Sequence, residues 1–119
     1  MRVLLVEDDP EMVHLVSAML ERGGDQVVAA DDIDDATQLA RALAPELVLL
    51  DLSVAASGEA MARFRETLAA AQTPIVLCTG ARDAARLDAA MRDGVRGMVR
   101  KPFDPATFRD AVLRAMHGA

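Results

Sequence analysis

The residues of this chain that could do chemistry stand behind apolar runs. Glu7, Asp8 and Asp9 follow Val3–Val6, Asp51 follows Leu47–Leu50, Thr79 follows Ile75–Cys78, and Lys101 follows a weaker run at 95–99. Neighbouring carboxylates at the rim of a packed core repel by roughly 3 kcal/mol per pair about 5 Å apart, at an effective dielectric of about 20. An acidic triplet at the mouth of a buried strand therefore calls for a cation. Glu7, Asp8 and Asp51 together with Lys101 leave a charge deficit that one divalent ion fills. Mg²⁺ suits such a set, because it takes one or two carboxylates, keeps waters, and accepts phosphate oxygens and a backbone carbonyl. Beside that ion and an ammonium, the Asp51 carboxylate becomes a nucleophile toward phosphorus, with both cations neutralising the equatorial oxygens of the transition state. The product is an aspartyl phosphate. Thr79 offers its hydroxyl to a phosphoryl oxygen, and Gly80 leaves room for that oxygen. Each residue alone is ordinary; only their joint spacing points to this chemistry.

That chemistry requires the tips of distant segments to meet. Apolar runs at 3–6, 26–30, 47–50, 75–78 and 95–99 read as strands. Helical periodicity fills the gaps, as in Met12, Val13, Leu15, Val16, Met19 and Leu20, or Met61, Phe64 and Leu68. Capping oxygens are expected at Asp9-Pro10, Asp32, Ser57, Asp83 and Asp104-Pro105, and helix ends at Gly23-Gly24 and Gly94. Alternating strands and helices without hairpin turns predict an α/β fold, a doubly wound parallel sheet of five strands with helices on both faces. Ligands of such sheets bind beyond the carboxyl ends of the strands, where all the residues named above fall.

Composition bounds the rest. The 119 residues, 52% of them apolar, fit one domain over 1–119 with a core that needs no disulfide or structural metal. The single cysteine, Cys78, lies within an apolar run and reads as a small buried hydrophobe of a reducing, cytoplasmic setting. No run is long enough to span a bilayer, and the acidic turn after "MRVLLV" comes too early for a secretion signal. A net charge of −6 argues against direct binding of nucleic acid by this domain. The charge is uneven: residues 1–78 carry 5 basic and 14 acidic residues, whereas 79–119 carry 8 and 5. His14 and His117 have no partner at metal-ligand spacing and read as surface residues.

The stretches "LLVEDDP", "PELVLLDL", "PIVLCTGA" and "GMVRKPF", in this order and with 22 residues from Thr79 to Lys101, resemble the receiver domain of two-component response regulators over the whole chain. The resemblance implies a flavodoxin-like (βα)5 fold with strand order 2-1-3-4-5. It implies that Glu7 and Asp8 bind Mg²⁺, for which Mn²⁺ can substitute, with Asp51 and the backbone carbonyl of Ser53, while Asp9 caps a helix. Asp51 is then the phosphoacceptor, taking phosphoryl from a histidine kinase or a phosphotransfer protein, and Thr79 and Lys101 hold the group. A cis peptide at Lys101-Pro102 is expected. Output is expected on the face built by the helix after the fourth strand, the fifth strand and the last helix, toward a downstream protein or a second copy. Arg82, Arg86, Arg92, Arg96 and Arg100 lie on or beside that face. The chain is expected to catalyse only its own phosphorylation and dephosphorylation.

Three departures qualify the resemblance. Ala55 stands where receivers commonly have proline, and Gly58 arrives early, so the loop after Asp51 is shortened by one residue. Met98 occupies a position where many receivers carry an aromatic switch residue; without a ring or hydroxyl, its coupling to Thr79 is weaker. Ser53 and Ala81 are small and should admit water to the phosphoryl group, which shortens its lifetime. The last-helix stripe Phe108, Ala111, Val112 and Ala115 reads as core, with Phe103 and Met116 available for docking.

The alternatives are a pseudo-receiver, the receiver fragment of a longer DNA-binding regulator, and an Mg²⁺-dependent aspartyl phosphohydrolase. The last needs a second acid two residues after the nucleophile, where this chain has Ser53. Nucleotide binding is weaker still, since no Gly-rich loop follows the first strand.

Overall fold

A computed structural model describes residues 1–54, 58–80 and 95–118. Five strands, β1 (Arg2–Val6), β2 (Gln26–Ala30), β3 (Leu47–Asp51), β4 (Ile75–Thr79) and β5 (Gly97–Arg100), form one sheet in the order β2-β1-β3-β4-β5. Every pairing is parallel. Helices α1 (Pro10–Arg22), α2 (Ile33–Leu43) and α3 (Glu59–Ala70) and the last helix (Phe108–Met116) cover it. The fold is the expected doubly wound α/β sheet.

Alternation along the strands divides the core in two. Leu4, Val6, Val48, Leu50 and Leu77 face α2 and α3, packing on Ile33, Ala36, Met61, Phe64 and Leu68. Val3, Leu5, Leu49, Val76 and Cys78 face α1 and the last helix, packing on Val16, Leu20, Phe108, Val112 and Ala115. Because β1, β3 and β4 are buried on both faces, their sequences are continuous apolar runs.

Local chemistry sets the helix starts. Asp9 caps α1 by accepting from the Glu11 N–H at 3.0 Å, with Pro10 in the first turn, and Asp32 caps α2 by accepting from the Asp35 N–H at 2.8 Å. Gly23 ends α1, followed by Gly24 at φ +94. The Lys101-Pro102 bond is cis, as the resemblance implied.

Several local expectations need correction. Gly58, with φ +92, is the N-cap of α3 and offers no side chain, while Ser57 lies outside the described residues. Asp104 instead opens a turn, its carboxylate accepting from the Ala106 N–H at 3.0 Å, and the last helix proper begins later, behind Thr107. Leu15 does not belong to the buried stripe of α1; it is 41% exposed. Strand β5 starts at Gly97 rather than at 95. Phe103 meets Phe108 in a tilted contact with ring centroids 4.6 Å apart, and Met116 packs on the same cluster, each remaining partly exposed. Ala55, Ala81, Arg82, Asp83, Arg86, Arg92 and Gly94 lie outside the described residues.

Candidate functional site

Parallel pairing puts the carboxyl ends of all strands on one rim, and there the chemistry gathers. The register Asp51↔Cys78 and Thr79↔Arg100 brings the ends of β3, β4 and β5 level, and the Lys101 N–H donates to the Thr79 carbonyl at 2.8 Å. One step beyond β1, the Glu7 N–H donates to the Ala30 carbonyl at 3.0 Å, which turns the next residues over the sheet end. Carboxylate oxygens of Glu7, Asp8 and Asp51 all lie within 4.8 Å of one another. Glu7 and Asp51 are buried and Asp8 is exposed, so the cluster has a closed floor and an open side.

Lys101 bridges the two buried acids. Its Nζ donates to Asp51 Oδ2 at 3.0 Å and lies 3.5 Å from Glu7 Oε1. The other Asp51 oxygen accepts from the Ser53 N–H at 3.1 Å, and Glu7 Oε2 accepts from the Asp8 N–H at 3.0 Å. Burial first, and then the hydrogen bond and negative charge of Asp51, push the Glu7 carboxyl up to about 7, against the pull of Lys101. Burial acts on Asp51 in the same sense, but its hydrogen bonds to Glu7, Ser53 and Lys101 prevail and hold it below the ordinary carboxylate range. Of the two, Glu7 holds its proton the more tightly, and Asp51 carries the carboxylate that Lys101 and the Ser53 N–H face.

The donor set fits a hard divalent cation: carboxylate oxygens only, in excess of the single ammonium. Thr79 is buried at the lip, and its hydroxyl donates to the Gly80 carbonyl at 2.9 Å. Met98 is half-buried, lies beside Leu77 on the neighbouring strand and packs on the α2–α3 side of the core, so it fills space within the fold. Behind Asp51, burial and then the charge of Asp51 push the Cys78 thiol up to about 12, which suits an inert packing role.

A family model for the response regulator receiver domain matches residues 3–113. The chain belongs to this family. Over 98% of both chains this receiver is 27% identical to Protein PilH of Pseudomonas aeruginosa. It is also 31% identical to the DNA-binding response regulator MtrA of Mycolicibacterium smegmatis, where 87% of this chain matches 45% of the longer protein. A response regulator receiver domain protein from Clostridium thermocellum superimposes with a TM-score of 0.80 over 98% of this chain and 94% of its own, at 19% identity, which speaks for the fold. Receivers are signalling proteins of two-component systems rather than conventional enzymes.

Sequence reasoning assembled Glu7, Asp8, Asp51, Thr79 and Lys101 at one rim, as the geometry has them. It missed a second convergence at the opposite pole. There the Asp25 carboxylate accepts from Arg109 Nε at 2.8 Å and Nη2 at 3.1 Å, and from the Met1 amino group at 3.0 Å. With Asp25 and Arg109 separated by 84 positions, no local pattern announces the pair. A group of three exposed acids, Asp31, Asp32 and Asp35, was also passed over, although the doubled "DD" runs mark it in the sequence.

Proposed function

We propose that this chain is a single receiver domain over residues 1–119 that switches a partner surface when Asp51 is phosphorylated. The observation carrying this reading is Lys101 Nζ 3.0 Å from Asp51 Oδ2, within a cluster where Glu7 and Asp8 supply further carboxylates inside 4.8 Å. Glu7, Asp8 and Asp51 with the Ser53 carbonyl would hold Mg²⁺, which supplies positive charge to the phosphoryl oxygens when bound. Asp51, ionised and oriented by the Ser53 N–H and Lys101, attacks phosphorus. Lys101 then moves with the developing charge onto a phosphoryl oxygen, and the leaving group departs in line. The Thr79 hydroxyl leaves the Gly80 carbonyl for another phosphoryl oxygen, and that exchange of partners couples the site to β5 and the last helix.

The phosphoryl donor is a histidine kinase or a phosphotransfer protein, and the partner is a downstream protein or a second copy meeting β5 and the last helix. The exposed Arg96 and Arg100 give that face positive charge and favour an acidic partner. The free, buried Cys78 accords with a reducing cytoplasm. A second reading, favoured by the match to MtrA, makes this the receiver of a longer DNA-binding regulator; the length of the protein in cell extract decides between them.

The test is incubation with acetyl phosphate and Mg²⁺ followed by intact mass. The parent gains one phosphoryl group and Asp51→Asn gains none. No gain in the parent across pH and Mg²⁺ concentration would make the chain a pseudo-receiver.

A further inference from the structure

Strand β2 ends the sheet, and among the described residues no strand lies beside its outer edge. Gln26 donates its N–H to the Met1 carbonyl and Ala30 accepts from the Glu7 N–H, so alternate residues of the strand face β1. Val27 and Ala29, in between, turn their N–H and C=O groups outward. Natural sheets blunt such an edge with charge, proline or a bulge. Here the strand reads Gln-Val-Val-Ala-Ala and carries none of these. Val28 is 40% exposed and Leu43, on the neighbouring α2, is 42% exposed.

A groove runs along this edge between α1 and α2. Pro10, Val13, Ala29, Leu39 and Ala42 line its wide part, of about 820 Å³, which is far more than one ion needs. Through Leu39 it continues into a smaller apolar hollow of about 120 Å³ against Val28, Leu43 and Pro45. The wide end is acidic. Asp31 and Asp35 stand there beside Asp8, and the carboxylates of Asp31, Asp32 and Asp35 come within 4.8 Å of one another. Among the described residues no lysine or arginine pairs with these three. Their mutual repulsion is strong enough to raise the Asp35 carboxyl, with Asp32 the largest cause.

We propose that this edge receives a strand of another protein, apolar along Val28, Leu39 and Leu43 and bearing lysine or arginine where it passes Asp31 and Asp35. Main-chain bonds to Val27 and Ala29 supply affinity, and the acidic end sets direction and specificity. A second copy is the poorer occupant. Antiparallel pairing of two β2 edges would meet the acidic end of one copy with the Gln26 end of the other, where Arg2 already faces Glu46 at 4.0 Å and Arg109 and the Met1 amino group are held by Asp25. The inference stands on the edge strand and its groove, independently of phosphorylation at Asp51.

The test is a titration of the ¹⁵N-labelled chain with two synthetic capped hexapeptides, TVTVRR and TVTVEE. The expected result is shifts at Val27, Ala29 and Asp31, with TVTVRR bound at least about tenfold more tightly than TVTVEE at low salt. Ala29→Pro, tolerable because its lost N–H faces away from β1, abolishes the shifts. Asp31→Lys with Asp35→Lys reverses the preference between the two peptides. The proposal is overturned by shifts elsewhere only, by equal affinity for both peptides, by unchanged binding in Ala29→Pro with an intact spectrum, or by a dimer whose Val27 and Ala29 amides are protected without peptide.

Discussion

Lys101 Nζ lies 3.0 Å from Asp51 Oδ2 and 3.5 Å from Glu7 Oε1, and among the described residues it is the one cation paired with these two buried acids. Removing it leaves the buried Asp51 carboxylate without its ammonium and beside a second buried acid. Lys101→Ala is therefore expected to lower stability at neutral pH by roughly 1–3 kcal/mol, between the ranges for exposed and buried ion pairs. Urea midpoints with and without Mg²⁺ check this, and millimolar Mg²⁺ should restore most of the loss. An unchanged midpoint in the absence of Mg²⁺ would mean that the ammonium does not offset the acids.

The raised Glu7 carboxyl gives a pH dependence of definite sign. Glu7 binds its proton more tightly when folded, up to about 7, than its ordinary 4.5. Its contribution to stability is thus complete below about 4.5 and is lost as pH rises through about 7. Mg²⁺ competes with that proton, so its affinity should climb by up to about tenfold per pH unit toward 7 and level off above it. Calorimetric titration of Mg²⁺ at several pH values reads this directly. Glu7→Gln should weaken binding and flatten the profile, whereas a flat profile in the parent would contradict the assignment.

At Gly97 the last helix presses on β5 so closely that a Cβ would lie 2.8 Å from the Ala115 carbonyl oxygen and 3.0 Å from its Cα. Those are main-chain atoms and cannot swing aside. Gly97→Ala should cost about 1–3 kcal/mol through displacement of the helix, measurable by thermal or urea unfolding. A change smaller than about 0.5 kcal/mol would show that the helix slides freely over the strand.

Asp25 ties the turn after α1 to Arg109 of the last helix. The Arg109 hydrogen bond, foremost, holds the Asp25 carboxyl below its ordinary range in spite of burial. Its contribution is present above the ordinary value of 3.8 and disappears as pH falls below it. Asp25→Asn should lower the melting temperature at neutral pH and flatten the acid limb of the stability curve. Identical acid limbs for parent and variant would show that the pair does not contribute to acid stability.

The fold was legible because three central strands are buried on both faces and so write themselves as unbroken apolar runs, Val3–Val6, Leu47–Leu50 and Ile75–Cys78. Parallel pairing follows from the alternation with helices, and from it the convergence of Glu7, Asp8, Asp51, Thr79 and Lys101 at one rim. Edge strand β5 was less sharp, because Arg96 and Arg100 bracket the short run Gly97, Met98 and Val99, and the partner strand sets its register. Leu15 illustrates the limit of periodicity: it borders the stripe of α1, and only the width of the packed face decides which border residues are covered. The Asp25–Arg109 pair joins two surfaces that meet only after the sheet has formed, so neither residue type nor local spacing could signal it. The α3 cap failed for a different reason, since a positive-φ glycine can start a helix without a side-chain oxygen.

Reduction of the phosphorylated chain with borohydride, followed by peptide mapping, identifies the carboxylate that attacks phosphorus. An acyl phosphate is reduced by borohydride where a free carboxylate is not. Homoserine is expected at position 51 alone, dependent on both Mg²⁺ and phosphoryl donor. Homoserine at Asp8 or Asp9, or an unreduced residue 51 in a chain that has gained phosphoryl mass, would contradict it.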